Sequence, residues 1–344
     1  MSAARFLEVT RREVGANLRR PLYYVLLAII GYTSWYYAQG DVGLQSGTTV
    51  IGGKEVWLNS EFFVSWSMAA ITFAVYSFFV AVAAGMTIIR DDKLQVGEIL
   101  HTTRLTPGEY VWGKFAAVLI CFVVLLGLDL GLSMLFNHVV PGGAEPEQIG
   151  PFSAWTYFRP GLLFGLPVML FFGGVSLAVG TRWRKPVLVF VVPIGIVMLS
   201  TFLWTWSPNW LDGRINTVIS VLDPSGFRWL DQTYIEIDRG ADFYNAARVA
   251  VDPGFQLNRF AIVAIGLLGV LWAQSSLARS LRRAHGEQSR RSRRAAHAAH
   301  EAALKGTGRG GGGAERAGAL RAQPGGGSQP TAAVQARVGA VAVQ

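Results

Sequence analysis

Cysteine and charged residues are both scarce in this chain. Of its 344 residues, one is a cysteine, Cys121, and only 15% are Asp, Glu, Lys or Arg. A single cysteine excludes an internal disulfide and a zinc site built from several thiolates. With 51% hydrophobic residues and a positive mean hydropathy, the composition indicates an integral membrane protein rather than a soluble one.

Catalytic and nucleotide-binding motifs are also missing. The sequence contains no His-Glu-x-x-His, so no zinc hydrolase is expected. Gly108, Gly113 and Lys114 have the spacing of a phosphate-binding loop, but Phe115 stands where that loop needs Ser or Thr. We therefore predict no enzyme activity, no directly bound cofactor and no metal. Any ATP hydrolysis is expected in another polypeptide.

Six apolar runs dominate the rest of the sequence, and most approach the roughly 20 residues that are needed to cross a bilayer. They predict an all-α integral membrane protein with six transmembrane helices, forming one domain over residues 22–280. The runs cover residues 22–38, 62–89, 115–139, 161–180, 187–206 and 260–277.

Lys and Arg are concentrated near alternate ends of these runs. They cluster before residue 22 and in residues 90–114, 182–185 and 279–294, all on one side of the predicted membrane. Because basic residues near span ends favour the cytoplasm, both termini are predicted to be cytoplasmic in a multi-pass cell (inner) membrane protein. This topology and contact with anionic membrane lipids explain the net charge of +9, without nucleic acid.

The segment before the first run, residues 1–21, is predicted to be an amphipathic helix in the membrane interface. The alternative is an ordinary basic flank of the first span. The predicted apolar face comprises Phe6, Leu7, Thr10, Val14 and Leu18.

Two further segments lie outside the apolar runs. Residues 207–257 mix aromatic and charged residues, and Asp223-Pro224-Ser225-Gly226 has the composition of a tight turn, so a compact outer cap is predicted. Residues 281–344 form a basic, low-complexity tail without apolar periodicity, and we expect this tail to be disordered.

A short charged segment joins the second and third runs on the predicted cytoplasmic side. Asp91 and Asp92 suit a helix start, because negative charge is favourable at the positive end of the helix dipole. Thr106-Pro107-Gly108-Glu109 matches a capping box with Pro at the first helical position, so another helix should begin there. Residues 90–106 are therefore predicted to form a cytoplasmic coupling helix that gives a protein partner a rigid contact.

This segment resembles the coupling helix of the membrane subunits of type 2 ABC exporters, which carries an acidic residue, Gly-x-x-Glu-x-Leu, Thr-x-x-x-x-Pro and Gly-Lys in this order. The resemblance implies a permease that docks on a separate cytoplasmic ATP-binding subunit, which uses the ATP, and that pairs with a second permease copy or homologue. It also implies a path lined by spans two and five. The matching residues are Asp91, Gly97, Glu98, Leu100, Thr103, Pro107, Gly113 and Lys114. The implied coupling residues are Asp91, Asp92, Gly97, Glu98, Arg104 and Pro107.

Residues 222–245 further resemble a subset of these permeases that is fused to a zinc aminopeptidase. The peptidase part is missing here, because the sequence has no His-Glu-x-x-His. No peptide hydrolysis is therefore expected.

Asp129 is the ionisable residue placed well inside a predicted span. The flanking Gly127 and Gly131 have the small-x-x-x-small spacing that permits close helix contact. Asp129 is either a polar point on a translocation path or a hydrogen-bonded or protonated carboxylate near the outer leaflet. The first reading gives slight support to a secondary transporter or channel. A membrane-embedded enzyme is less favoured, because the spans lack paired catalytic residues.

Overall fold

The computed structural model describes residues 2–46, 49–93, 105–140, 143–205 and 212–308. About four fifths of this part of the chain is helical. Its two strands, β1 (Gln45–Ser46) and β2 (Thr49–Val50), form a small antiparallel pair. The predicted all-α class is therefore confirmed for the part of the chain that the structure describes.

Five helices in these ranges are long and apolar enough to cross a membrane, as expected for a multi-pass membrane protein. The first predicted run forms the helix Pro21–Tyr37, which has only 17 residues. This is shorter than the roughly 20 residues of a typical span, so five of the six predicted spans correspond to helices of sufficient length. The five are Glu61–Lys93, Pro107–His138, Ala154–Trp183, Pro186–Leu203 and Pro253–Arg282.

The helices are numbered here in chain order. They are α1 (Ala3–Leu18), α2 (Pro21–Tyr37), α3 (Glu61–Ile71), α4 (Ser77–Lys93), α5 (Pro107–His138), α6 (Ala154–Pro160), α7 (Leu166–Trp183), α8 (Pro186–Thr205), α9 (Gly213–Leu222), α10 (Phe227–Leu230), α11 (Ala241–Ala246) and α12 (Pro253–Gly308). Wider π-helical turns occur at Thr72–Tyr76, Gly161–Gly165 and Asp231–Ile235, and 3₁₀ turns at Gly53–Glu55 and Pro146–Gln148.

Glycine allows α7 to touch two neighbouring helices through their backbones. A Cβ atom at Gly174 would collide with the backbone of Gly266 on α12, and one at Gly180 would collide with the backbone of Gly85 on α4. Small residues at helix crossings favour such contacts in membranes. The spacing of Gly127 and Gly131 permits a close helix contact, but within the described part of this chain nothing lies within 4 Å of the Cβ position at either residue.

The N-terminal segment does form a helix, and α1 packs against the start of α5. Thr10, a member of the predicted apolar face, is buried, and its hydroxyl donates to the Gly113 carbonyl over 3.3 Å. Leu7 and Leu18 are 61% and 46% exposed, so they lie away from this contact. The side of the helix that packs also includes the buried Asn17, which the apolar pattern did not indicate. That α1 lies at the membrane surface stays a prediction.

The described part of the predicted cap, residues 212–257, consists of short helices and turns up to residue 252, and residues 253–257 form the start of α12. The tight turn is confirmed: Gly226 has φ +70°, and the Asp223 carboxylate accepts from the Ser225 backbone N–H over 3.0 Å. Tyr244 is buried and packs edge-on against Phe62 at the start of α3, with 5.4 Å between the ring centroids. The cap is therefore anchored to the end of a membrane-spanning helix.

The chain divides into two units, Met1–Arg283 and Ala284–Gln344. The helix α12 continues through Gly308, whereas the sequence predicted disorder from residue 281. A helix is compatible with the Arg, Ala, Gln and Glu residues of this stretch, because all four have high helix propensity. Residues 309–344 of the predicted tail lie outside the described residues.

Candidate coupling site and the membrane interior

The structure describes the two ends of the predicted coupling segment. At its first end, α4 runs through Asp91 and Asp92 to Lys93, so the prediction that these two residues start a helix is wrong: the helix of the preceding apolar run continues through them. At its second end, α5 begins at Pro107. The middle of the predicted motif lies outside the described residues, namely Gly97, Glu98, Leu100, Thr103 and Arg104.

The predicted capping box at the start of α5 is confirmed. The Thr106 hydroxyl accepts from the Glu109 backbone N–H over 3.3 Å, and the Glu109 carboxylate accepts from the Thr106 backbone N–H over 3.0 Å. Pro107 occupies the first helical position, where its missing N–H costs nothing. The Glu109 carboxylate also accepts from the Ser2 backbone N–H over 2.5 Å, so the same residue ties α5 to the N-terminal segment.

Four charged residues, three from different helices and one from the turn between α1 and α2, meet beside this capping box. Lys114 is only 2% exposed, and its Nζ lies 2.7 Å from the Asp91 carboxylate and forms a second ion pair with Glu13. Arg20 lies 3.9 Å from the other Glu13 oxygen. We call Glu13, Arg20, Asp91 and Lys114 the inner ionic cluster. Because a buried charge without a partner is very costly, Lys114 holds α1, α4 and α5 together.

Two further interactions surround the inner ionic cluster. The Tyr110 hydroxyl donates to Asp91 over 2.6 Å, and the Lys114 Nζ lies 5.1 Å from the centre of the Tyr110 ring. The Asp91 carboxylate is thus occupied by Tyr110 and Lys114 of the same chain. At Arg20, burial lowers the pKa of the guanidinium, and the positive charge of Arg90 lowers it further.

Asp92 has a more open environment than Asp91. Its carboxylate lies 2.9 Å from the Arg184 guanidinium, and the two side chains are 33% and 45% exposed. Arg184 follows the last residue of α7 and has φ +53°, a left-handed conformation that ends this helix. The pair therefore joins the C-terminal end of α4 to the C-terminal end of α7. Such an exposed pair is worth little to stability and remains accessible to a partner.

Asp129 is 1% exposed and lies inside the bundle. Its two carboxylate oxygens accept hydrogen bonds from the Ser34 hydroxyl over 3.0 Å and from the Tyr76 hydroxyl over 3.2 Å. These donors belong to α2 and to the π turn between α3 and α4. The contacts match the hydrogen-bonded alternative for Asp129, because they make the carboxylate a link between three parts of the bundle.

Sequence reasoning missed Glu13 and Arg184 as partners of this region. Lys114 gave the available signal, because a cation inside an apolar helix requires a carboxylate nearby. Nothing in the sequence identifies that carboxylate as Glu13, which lies 101 residues away along the chain. The predicted coupling residues thus have different surroundings: Asp91 faces the chain interior, Asp92 is partly exposed, and Pro107 starts α5.

Comparison with known proteins gives no further assignment. No protein-family model matches this chain, and no curated protein matches it. Its function must therefore be inferred from the order of the motif residues and from the contacts described above.

Proposed function

We propose that this chain is the permease subunit of an ATP-driven ABC exporter in the cell membrane, with both termini in the cytoplasm. A separate ATP-binding subunit hydrolyses ATP, and a second permease copy or homologue completes the translocation path. The observation that carries this proposal is the inner ionic cluster. It clamps the ends of the charged segment between α4 and α5 to the rest of the bundle.

The inner ionic cluster would transmit a movement of the coupling segment to the rest of the bundle. Lys114 connects α4, α5 and α1 through its bonds to Asp91 and Glu13. The pair between Asp92 and Arg184 extends the connection to α7. A push by the partner would then shift several helices together, as rigid elements do in switching transitions.

The contacts suggest a division of roles among the predicted coupling residues. Asp91 and Pro107 hold the two ends of the segment, because one is ion-paired inside the chain and the other starts a capped helix. Asp92, Gly97, Glu98 and Arg104 are assigned to the contact with the ATP-binding subunit.

Co-purification with the ATP-binding subunit tests the proposal. Glu98→Arg reverses a charge in the proposed contact, and Gly97→Pro breaks the coupling helix, so both are expected to abolish association. Lys185→Glu is the matched control, because it reverses an exposed charge in another loop on the same predicted side. Normal association of both coupling variants would refute the assigned contact.

A second candidate, an ion-coupled secondary transporter, rests on Asp129 alone, because a buried carboxylate in a membrane can hold a coupling ion. Reconstituted vesicles with the permease and its ATPase distinguish the two. If the chain is an ABC permease, transport should occur with ATP and without an ion gradient. The Asp129→Asn variant should retain this ATP-driven transport. Transport driven by an ion gradient alone, and lost in Asp129→Asn, would support the secondary transporter.

A further inference from the structure

A cavity of about 280 Å³ lies between the cap and the cap-side ends of two membrane-spanning helices. Its volume is near the lower end of the roughly 300–1,000 Å³ that is typical of small-molecule sites. The walls come from β1, α3, the following π turn, α8 and the tight turn of the cap. The lining residues that matter for a ligand are Gln45, Trp66, Ala70, Phe73, Ser200 and Asp223.

One wall of the cavity is an apolar stripe along α3 and the π turn. It consists of Trp66, Ala69, Ala70, Phe73 and Ala74, whose spacing places them on one side of the helix. Ala70 is half-buried and Ala74 is exposed, so two small side chains leave space beside two large aromatic ones. Such a wall fits an aliphatic chain or a ring. The adjoining π turn is a feature that is common at functional sites.

The one ionisable group in the described lining of the cavity is already engaged by the protein's own hydrogen bonds. Asp223 is the ionisable residue among those that line it, within the described part of the chain. Its carboxylate already accepts from the Ser225 backbone N–H, the Ser225 hydroxyl and the Arg228 backbone N–H, over 3.0, 2.7 and 3.2 Å. An anionic ligand group would be repelled by this carboxylate, and a cationic one would have to compete with its three hydrogen bonds, so either would enter without a dedicated partner and at a large desolvation cost. Gln45 and Ser200 can instead form neutral hydrogen bonds.

We propose that this cavity binds an uncharged amphiphile, with an alkyl or aromatic body against the apolar stripe and a hydroxyl or carbonyl end near Gln45 and Ser200. The ligand class follows from an apolar wall, a few neutral polar groups and a carboxylate that is already satisfied. This binding needs no ATPase, so the site goes beyond the proposed transport function. The two proposals can fail separately.

Photo-crosslinking in lipid nanodiscs, without any ATPase, tests this site. The probe is a long-chain alcohol that carries a diazirine, and the crosslinked residues are mapped by peptide mass spectrometry. Unlabelled alcohol, carboxylate and quaternary ammonium of the same chain length serve as competitors. We expect saturable labelling between Trp66 and Ala74 that the alcohol suppresses, while both charged competitors are about tenfold weaker, a difference of about 1.4 kcal/mol.

Ala70→Phe places a ring in the cavity and is expected to weaken labelling between Trp66 and Ala74 by about tenfold or more. Val124→Phe is the control, because it adds a ring at a position on α5 that is 52% exposed and is not among the residues that line the cavity. Equal thermal unfolding of both variants confirms that folding is intact. If Ala70→Phe unfolds, Ala74→Phe at the exposed end of the stripe replaces it.

Three results would overturn the proposal. Labelling that does not saturate would mean that bilayer lipid, rather than a bound solute, occupies the cavity. Equal competition by charged and neutral chains would refute the ligand class. Unchanged labelling in the cavity-filling variant would place the bound probe elsewhere.

Discussion

Lys114 shows how one buried charge organises the end of the bundle where α1, α4 and α5 meet. Its side chain is 2% exposed, and both of its carboxylate partners come from other helices. Removal of one member of such a group leaves the remaining charges buried without compensation, whereas replacement of the whole group by neutral residues is often tolerated. The inner ionic cluster therefore has a testable energetic signature.

Lys114→Ala is expected to lower the free energy of unfolding by about 3–5 kcal/mol, because Asp91 and Glu13 lose their shared cation. The quadruple variant Lys114→Met, Asp91→Asn, Glu13→Gln, Arg20→Gln neutralises the whole inner ionic cluster and is expected to recover most of this loss, since none of the four charges remains without its partner. Chemical unfolding of the purified chain in detergent measures both effects.

Lys185→Ala is the control for this prediction, because Lys185 is exposed. It should change the free energy of unfolding by less than about 0.5 kcal/mol. A loss for Lys114→Ala that is no larger than for Lys185→Ala would contradict the clamp.

At the scale of single residues, the sequence predicts interactions between residues that are close together along the chain. Thr106, Pro107 and Glu109 lie within four consecutive residues, so the capping box that they form could be recognised directly. Glu13 and Lys114 meet only after α1 has packed on α5, and no local rule specifies that docking. The tertiary contacts of Asp91 were therefore beyond prediction, although its position at the end of an apolar run was evident.

At the scale of helices, α7 is positioned by glycine contacts with α4 and α12. Both contacts bring backbone against backbone, so even one methyl group is too large there. Glycine spacing alone did not identify them. Gly127 and Gly131 have the expected small-x-x-x-small spacing but touch nothing within 4 Å, whereas Gly174 and Gly266 come from separate spans. Pairing between spans depends on the arrangement of the whole bundle, which sequence spacing does not encode.

Gly174→Ala is expected to destabilise the chain by about 1–3 kcal/mol, because its Cβ would force α7 away from α12. The same substitution at Gly127 adds a methyl group in open space. It should be neutral or stabilising by up to about 1 kcal/mol, since Ala favours helices over Gly.

Thermal unfolding of both variants under identical detergent conditions provides the comparison. Equal stability of Gly174→Ala and the unmodified chain would show that the two helices are not held at this distance. Destabilisation by Gly127→Ala would reveal a contact for α5 outside this chain.

At the scale of the whole molecule, the five long apolar helices need an orientation. The basic residues predict that the loop between α7 and α8 faces the cytoplasm and that the cap faces the opposite side. The exposed residues Lys185 and Glu236 report on the two sides. The buried Cys121 is the one cysteine in the chain, so it can be removed before new labels are introduced.

In a Cys121→Ala background, Glu236→Cys is expected to react with a membrane-impermeant maleimide on intact cells. Lys185→Cys should react only after the membrane is opened. The extent of labelling on gels measures both. The reverse pattern would place the coupling segment outside the cell and would exclude its contact with a cytoplasmic ATPase.

The π turn Thr72–Tyr76 has a consequence for how this span accepts insertions and deletions. A π turn holds one residue more than the α-helical turn it replaces, and one residue corresponds to about 100° of rotation. The extra residue thus sets the angular phase between Trp66, at the cavity, and Tyr76, at Asp129. A deletion here would keep the span apolar yet turn one of these side chains out of register. Loss of a single codon would therefore be more damaging than most conservative substitutions nearby.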